Sequence, residues 1–481
     1  MTTMPNPLDR IDVADYRGTR LSDPPDAEAL ARAVRDARVM VLSVLQTILD
    51  RHERHPRDPF LDTKLSVLRG TDYADDDPVA GRDRIYGWIQ GRGLEALATH
   101  ETWLRNSTAV APALRDDLCK RIRIMLRTVL DAMEALRRAN GGRLFFVMTQ
   151  DGTPLRMGPD GRFVPVAMAD DAPSNFSELF YVKGLAAAAA VLDDAAALAA
   201  AREWFAVIDR DLTEGRFRSD QQPLDPSNAA IATVPGRHPQ GPRMIAIGAA
   251  ARMLACTGET LYLDAGLAYV DHILDHHVNT DGLVAGGRPY DLWEFVDDAG
   301  RPYLEPGGVL RCDPGHACEF VGLALKLLRT AERLGRLTDV AAPRLRRCGD
   351  LLPTILERNF ANGFHPEGLG IAKAVDLTTG EVIHSDMPWW SLPETIRAAL
   401  EARAIVEPSR RTVMDAIARR CWNAFVGGYV RPAVHLMAYQ TLDRDGRPVD
   451  VTPGMPDADP GYHTGLSLID AIELWEERRE A

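Results

Sequence analysis

The chain has 481 residues, 46% of them hydrophobic and 26% charged, with a net charge of −13. That length buries a large core, and the composition is ordinary for a globular protein. No basic stripe and no run of 18 apolar residues occurs, which argues against nucleic acid, an anionic membrane surface and a transmembrane helix.

Residues 1–25, rich in Pro, Asp and Arg, read as a flexible N-terminal arm without an apolar signal core. Residues 26–481 read as one catalytic domain. Helical periodicity predicts about twelve helices. The first seven fall near Ala27–His52, Asp83–Trp103, Ala113–Asn140, Ser177–Leu192, Ala195–Leu212, Met244–Cys256 and Glu259–His277. The others fall near Pro314–Leu334, Thr338–Phe360, Leu392–Ala404, Ser409–Phe425 and Tyr462–Glu477. Many are consecutive pairs with a short link, such as Cys256-Thr257-Gly258. Long polar stretches separate the pairs: Phe145–Phe176, Gly215–Gly241, Asp281–Cys312 and Gly363–Pro388. These hold glycines and short β-type segments such as Leu144–Met148. The pattern predicts an all-α fold, an (α/α)6 barrel with its long loops and a pocket on one face. An open solenoid would pattern similarly, but the pairs share no regular repeat. The cysteines, Cys119, Cys256, Cys312, Cys318, Cys348 and Cys421, form no CxxC pair and read as reduced thiols of a cytoplasmic protein.

Two histidines share one frame. Asp313-Pro314-Gly315-His316 and Asp459-Pro460-Gly461-Tyr462-His463 each open an apolar helical run. Asp suits the N-cap, Pro the first helical position, and the His falls in the first turn. A helix N-terminus disfavours imidazolium, so both histidines are expected neutral, as proton-transfer bases. Plain capping, with the His exposed or hydrogen-bonded, is the alternative. Tyr86–Arg92 places two glycines and an Arg in a helix, which indicates close packing or a bound group. Glu178 begins another helix and suits its dipole, or reaches inward among aromatics. Ser391 and Glu394 read as an S-x-x-E capping box. Trp389-Trp390 in front of it read as a wall for a ring-shaped ligand. Asp313, His316 and Glu319 could hold a metal, but no HExxH-type set accompanies them, and the expectation is none. His276, His277, His52 and His55 read as helix-end surface residues.

These junctions together resemble the N-acylglucosamine 2-epimerase family, which includes cellobiose 2-epimerases and aldose–ketose isomerases. The resemblance runs over roughly residues 30–477. It is carried by Trp88-Ile89-Gln90-Gly91-Arg92, Phe146–Gly152, Phe176–Tyr181, Trp293-Glu294, Pro314-Gly315-His316 with Glu319, Trp389-Trp390 with Glu394, and Tyr462-His463. It implies an (α/α)6 barrel and metal-free proton transfer through an enediol-type intermediate, at C2 or between C1 and C2 of a reducing sugar. His316 and His463 would be the catalytic pair. Arg92 would stabilise developing charge. Glu178, Glu294, Glu319 and Glu394 would orient hydroxyls or the imidazoles, with Trp389 and Trp390 against the sugar. No cofactor is expected, the partner is a small sugar, and a homodimer is a candidate assembly.

The chain departs from the family at Met387, Leu392 and Leu466, where polar residues are usual. The isomerase branches' further His has no counterpart at Arg243-Met244-Ile245. Several polar substrate contacts therefore read as lost, and a less polar or differently decorated sugar is expected. A glycoside hydrolase or lyase on the same toroid, and a non-catalytic sugar-binding descendant, are the alternatives.

Overall fold

A computed structural model describes residues 7–167, 172–222, 224, 234–282, 287–450 and 458–480. Parts of the loops Phe145–Phe176, Gly215–Gly241 and Asp281–Cys312 thus lie outside the described residues. The helices are α1 (Ala27–Arg54), α2 (Gly87–Asn106), α3 (Pro112–Ala139), α4 (Phe176–Leu192), α5 (Ala195–Thr213) and α6 (Gly241–Thr257). They continue as α7 (Thr260–His276), α8 (Pro314–Arg333), α9 (Ala342–Gly363), α10 (Ser391–Ile405), α11 (Pro408–Ala424) and α12 (Ser467–Glu480). Every helix read from periodicity is present; some ends differ. α2 starts late because Ile85–Tyr86 pairs antiparallel with Val147–Met148. α9 starts late because Leu337–Asp339 winds as a separate 3-10 turn, and Pro343 suits the first turn that follows.

The even-numbered helices form an inner ring. α2 packs on α4, α4 on α6, α6 on α8, α8 on α10 and α10 on α12. A π-turn at Tyr462–Leu466, leading into α12, packs on α2 and closes the ring. Each inner helix also packs on the outer helix that follows it, and α12 packs on α1. Contact between the first and last helices distinguishes a closed (α/α)6 toroid from an open solenoid. Burial follows position. α4 buries the unbroken run Ser177–Ala189, as a helix enclosed by neighbours must. Outer α3 buries one stripe, Leu118, Ile122, Met125, Val129, Met133 and Leu136. No described helix is long and apolar enough to cross a membrane.

Residues 7–25, loose by composition, are tied to the barrel. The Arg17 and Thr19 amides donate to Asp36 at 2.8 and 2.7 Å. Asn423 and the Leu21 backbone exchange bonds of 2.8 and 2.9 Å. All six cysteines are free thiols.

Gly91 lets two inner helices touch. A Cβ there would lie 2.6 Å from the carbonyl carbon of Phe180 and the amide of Tyr181, on the backbone of α4. Replacing Gly by Ala gains about 1 kcal/mol of helix propensity. Forcing the two backbones apart costs about 1–3 kcal/mol. We expect Gly91→Ala to lower the thermal midpoint. A raised midpoint in a melting experiment would refute close packing as the reason for this glycine.

Candidate active site

The inner helices α8, α10 and α12 begin at the long-loop face, and their first turns bring the predicted residues together. Asp313 caps α8: its Oδ1 accepts from the His316 amide at 3.2 Å. Asp459 accepts from the Tyr462 and Thr464 amides at 2.8 and 2.9 Å, which winds the π-turn that carries His463. Pro314 occupies the first turn of α8, whereas Pro460 lies before the π-turn, which Gly461 enters at φ +82°.

Both imidazoles lie against one indole. The His316 ring stacks on Trp390 with centroids 5.3 Å apart, and the His463 ring lies 5.8 Å from it. Trp389 meets His463 edge-on at 6.0 Å, and Tyr462 does so at 4.9 Å. Each imidazole has a carboxylate at Nδ1. His316 Nδ1 lies 3.2 Å from both oxygens of Glu294 and 3.4 Å from Asp313. His463 Nδ1 lies 3.1 Å from Glu394 Oε1. An ionised carboxylate only accepts, so Nδ1 donates and Nε2 is left for other chemistry.

The carboxylates are unequal. Burial raises Glu394, but the Arg397 guanidinium bonded to its other oxygen, together with His463, outweighs this and holds it at about 2. Glu319 is raised, by burial and by the charge of Glu394. One of two crowded carboxyls is shifted in this direction. Burial lowers His316, yet Asp313 and Glu294 overcome it and push the imidazole up to about 9. The expectation of a neutral His316 is thus corrected. A helix terminus is worth about 0.3–1 kcal/mol, less than two adjacent carboxylates in a buried site.

Arg92 lies in an aromatic cage, 4.2 Å from the Phe180 ring centre, 5.3 Å from Trp88 and 5.4 Å from Tyr462. Its buried Nε has no hydrogen-bond partner.

The family model for N-acylglucosamine 2-epimerase (GlcNAc 2-epimerase) matches residues 159–465. The chain belongs to that family. Among solved structures, a cellobiose 2-epimerase from Spirochaeta thermophila DSM 6192 is 15% identical, with TM-score 0.65 over 94% of this chain and 99% of that one. A sugar epimerase from a ruminal bacterium is 13% identical, with TM-score 0.65 over 92% and 98%. A D-mannose isomerase is 13% identical, with TM-score 0.61 over 89% and 97%. At such identities the likeness is one of fold. No curated protein matches the chain significantly in sequence.

Some residues stand elsewhere than the sequence suggests. Glu178 completes a capping box with Asn175 and accepts from Arg143 Nε at 2.5 Å and Nη2 at 3.0 Å. It also accepts from the Leu144 amide, so its oxygens are occupied away from the two imidazoles. Glu394 belongs to no capping box: the Ser391 hydroxyl donates to the Pro388 carbonyl instead. Met387 and Leu392 are fully buried in the core and do not depolarise the pocket. Leu466 lines a small cavity of about 60 Å³ between the inner helices, beside Glu319 and Glu394. Asp313, His316 and Glu319 do not gather as metal ligands. Among the described residues that geometry belongs to Glu319, Glu394 and His463, whose ligand atoms lie within 4.8 Å of one another. A cation there would compete with Arg397 for Glu394.

Three contributors escaped the sequence. Arg397 looks like an ordinary helix residue. Lys373 Nζ bonds Asp313 Oδ2 at 2.5 Å and lies 5.3 Å from the Trp390 ring centre. His277, expected at the surface, is buried, and burial drops it to about 3. Its neutral Nδ1 bonds the Trp293 carbonyl at 3.1 Å, while the Trp293 amide donates to the His277 carbonyl at 3.0 Å. This clamp holds the neighbouring Glu294 in place.

The His316 imidazole should titrate near pH 9 by NMR. In Glu294→Gln, one of the two carboxylates that raise it is gone, and its titration should move toward the ordinary His value near 6.5. A His316 titration already near 6.5 in the unmodified protein would refute this charge assignment.

Proposed function

We propose that the protein is a sugar 2-epimerase or aldose–ketose isomerase, acting at C2, or between C1 and C2, of a reducing sugar. The observation that carries this reading is the pair of imidazoles against Trp390, each with a carboxylate at Nδ1. A proton beside an open-chain aldehyde is acidic enough for imidazole, because the electron pair delocalises into the carbonyl as an enediolate. His463 in its neutral form removes that proton through Nε2. His316, held as imidazolium, donates to the carbonyl oxygen or to carbon. In an epimerase the returning proton reaches C2 from the opposite face; in an isomerase it reaches C1. No net redox change occurs, so no cofactor enters. Arg92 supports the developing oxyanion, and stabilising that charge is commonly the largest single contribution to catalysis in such steps. Trp389 and Trp390 form the wall for the sugar ring. Glu319, beside His463, hydrogen-bonds a sugar hydroxyl. Residues 26–481 act as a single catalytic domain.

A hydrolase needs two carboxyls flanking the scissile bond, about 5–5.5 Å apart for retention and about 6.5–9.5 Å for inversion. Glu319 and Glu394 have oxygens within 4.8 Å, and both oxygens of Glu394 are engaged, by His463 and Arg397. That arrangement favours imidazole chemistry.

Solvent deuterium should enter C2 of a reducing sugar from a panel of aldoses and disaccharides incubated with the protein in heavy water. His316→Asn and His463→Asn should each lose about 100- to 10,000-fold in net turnover. In an epimerase, each mutant should still exchange one epimer, and the two mutants opposite ones. If both keep unmodified exchange, the two-histidine reading fails.

The reaction should also survive exhaustive chelation. Loss with EDTA that one divalent ion restores would instead assign Glu319, Glu394 and His463 to a metal.

A further inference from the structure

Lys373 precedes the strand Ala374–Asp376, which pairs with Arg311–Cys312 directly before Asp313. That pairing fixes the register of two segments and brings Lys373 beside the start of α8. The ammonium reaches Asp313 Oδ2 at 2.5 Å, while Asp313 Oδ1 caps the His316 amide. The same Oδ2 is the atom 3.4 Å from His316 Nδ1. One carboxylate oxygen is thus shared between a lysine and the imidazole. Lys373 also sits over the face of Trp390, the ring on which His316 stacks. Its side chain is about a third exposed.

We propose that Lys373 is a positioning residue: by competing for Asp313, it keeps that carboxylate from binding His316 fully and so sets the charge of the acid end of the site. The inference does not need Lys373 to touch substrate. Its catalytic consequence rests on the epimerase or isomerase reading; its electrostatic consequence does not.

Every titratable group facing His316 enters the balance. Asp313 caps its helix, Glu319 lies on it, Glu294 comes from the preceding loop and Lys373 from the strand segment. Asp313 and Glu294 raise the imidazole, and Lys373 lowers it. Reciprocally, His316 and Lys373 together hold Asp313 below the usual carboxylate range against its burial. Removing the ammonium leaves Asp313 with His316 as its remaining cation. The imidazolium is then held more tightly, and it loses its proton at higher pH.

The test is the NMR titration of His316 in the full-length protein without substrate. In Lys373→Met the midpoint should move alkaline by about one unit. Lys373→Arg should restore most of it, because a guanidinium also neutralises Asp313. Asp313→Asn keeps an N-cap of equal quality, so the start of α8 survives. In that background Lys373→Met should add a clearly smaller alkaline shift, only the direct repulsion between the ammonium and the imidazolium being left to lose, since coupled residues show non-additive effects. Where turnover is measurable, its alkaline limb should move up with the titration in Lys373→Met. An unchanged titration in Lys373→Met overturns the proposal, and so does an equal alkaline shift with Asn at 313. A shifted titration in a protein that turns over no sugar upholds the role of Lys373 and sinks the proposed function.

Discussion

The bond between Glu394 and Arg397 is the interaction on which the site rests. Both side chains are buried on the first turns of α10. An unpaired ion there would cost several kcal/mol, and removing one partner of such a pair typically costs about 3–5 kcal/mol. With Arg397 on one oxygen, Glu394 stays ionised and offers the other to His463. That single negative charge then acts twice. It fixes the His463 tautomer, and, added to burial, it strengthens the hold of the adjacent Glu319 on its proton. An ionised carboxylate and an oriented imidazole follow from one guanidinium three residues along a helix.

The same rule extends down the barrel axis. Six inner helices packed side by side leave a central space that their apolar flanks do not fill. Charged residues line it in pairs. Lys183 bonds the Tyr462 hydroxyl at 2.5 Å and Glu95 at 3.1 Å, and Glu95 also meets Arg252 at 3.3 Å. On the other side Asp470 meets Lys326 at 2.5 Å and Arg397 at 4.0 Å. These pairs connect α2, α4 and α6, and α8, α10 and α12, across the cavity. They contribute little as isolated contacts, but each fixes a side chain that supports the floor of the site. Rigidity of this kind is what preorganised proton transfer requires.

The helices were legible because their periodicity is strong, and the histidines because Asp-Pro-Gly-His carries its own capping logic. Asp313 and Asp459 both cap as that logic requires. Where local logic had two readings, tertiary contacts decided. Ser391 and Glu394 have the spacing of a capping box, yet a buried Arg397 and His463 claim the carboxylate. Glu178 has a capping role as well as an inward one in prospect; Asn175 completes the first, and Arg143 holds the carboxylate there. Lys373 and His277 carry no local signal at all. One arrives through strand pairing 60 residues from its partner, and the other through a turn that folds the chain back over a helix end. The charge of His316 is only partly legible in the sequence: Asp313 stands in its own motif, but Glu294 lies 22 residues upstream, and nothing in the α8 sequence announces it.

The two histidines share a sequence frame but not an electrostatic one. Glu394 gives much of its charge to Arg397 before it meets His463. Glu294 turns both oxygens toward His316, and Asp313 adds a second carboxylate that Lys373 only partly neutralises. Identical imidazoles in identical frames would compete for one role. Different counter-charges make their surroundings unequal, and Asp313 and Glu294 strengthen the hold of His316 on its proton. Proton transfer across a sugar needs that inequality, because an acid and a base must be present together. Apart from Asp313, the inequality is built from residues outside the two repeated motifs, namely Glu294, Lys373 and Arg397, so loops and strands contribute to it as well as the helices that carry the histidines.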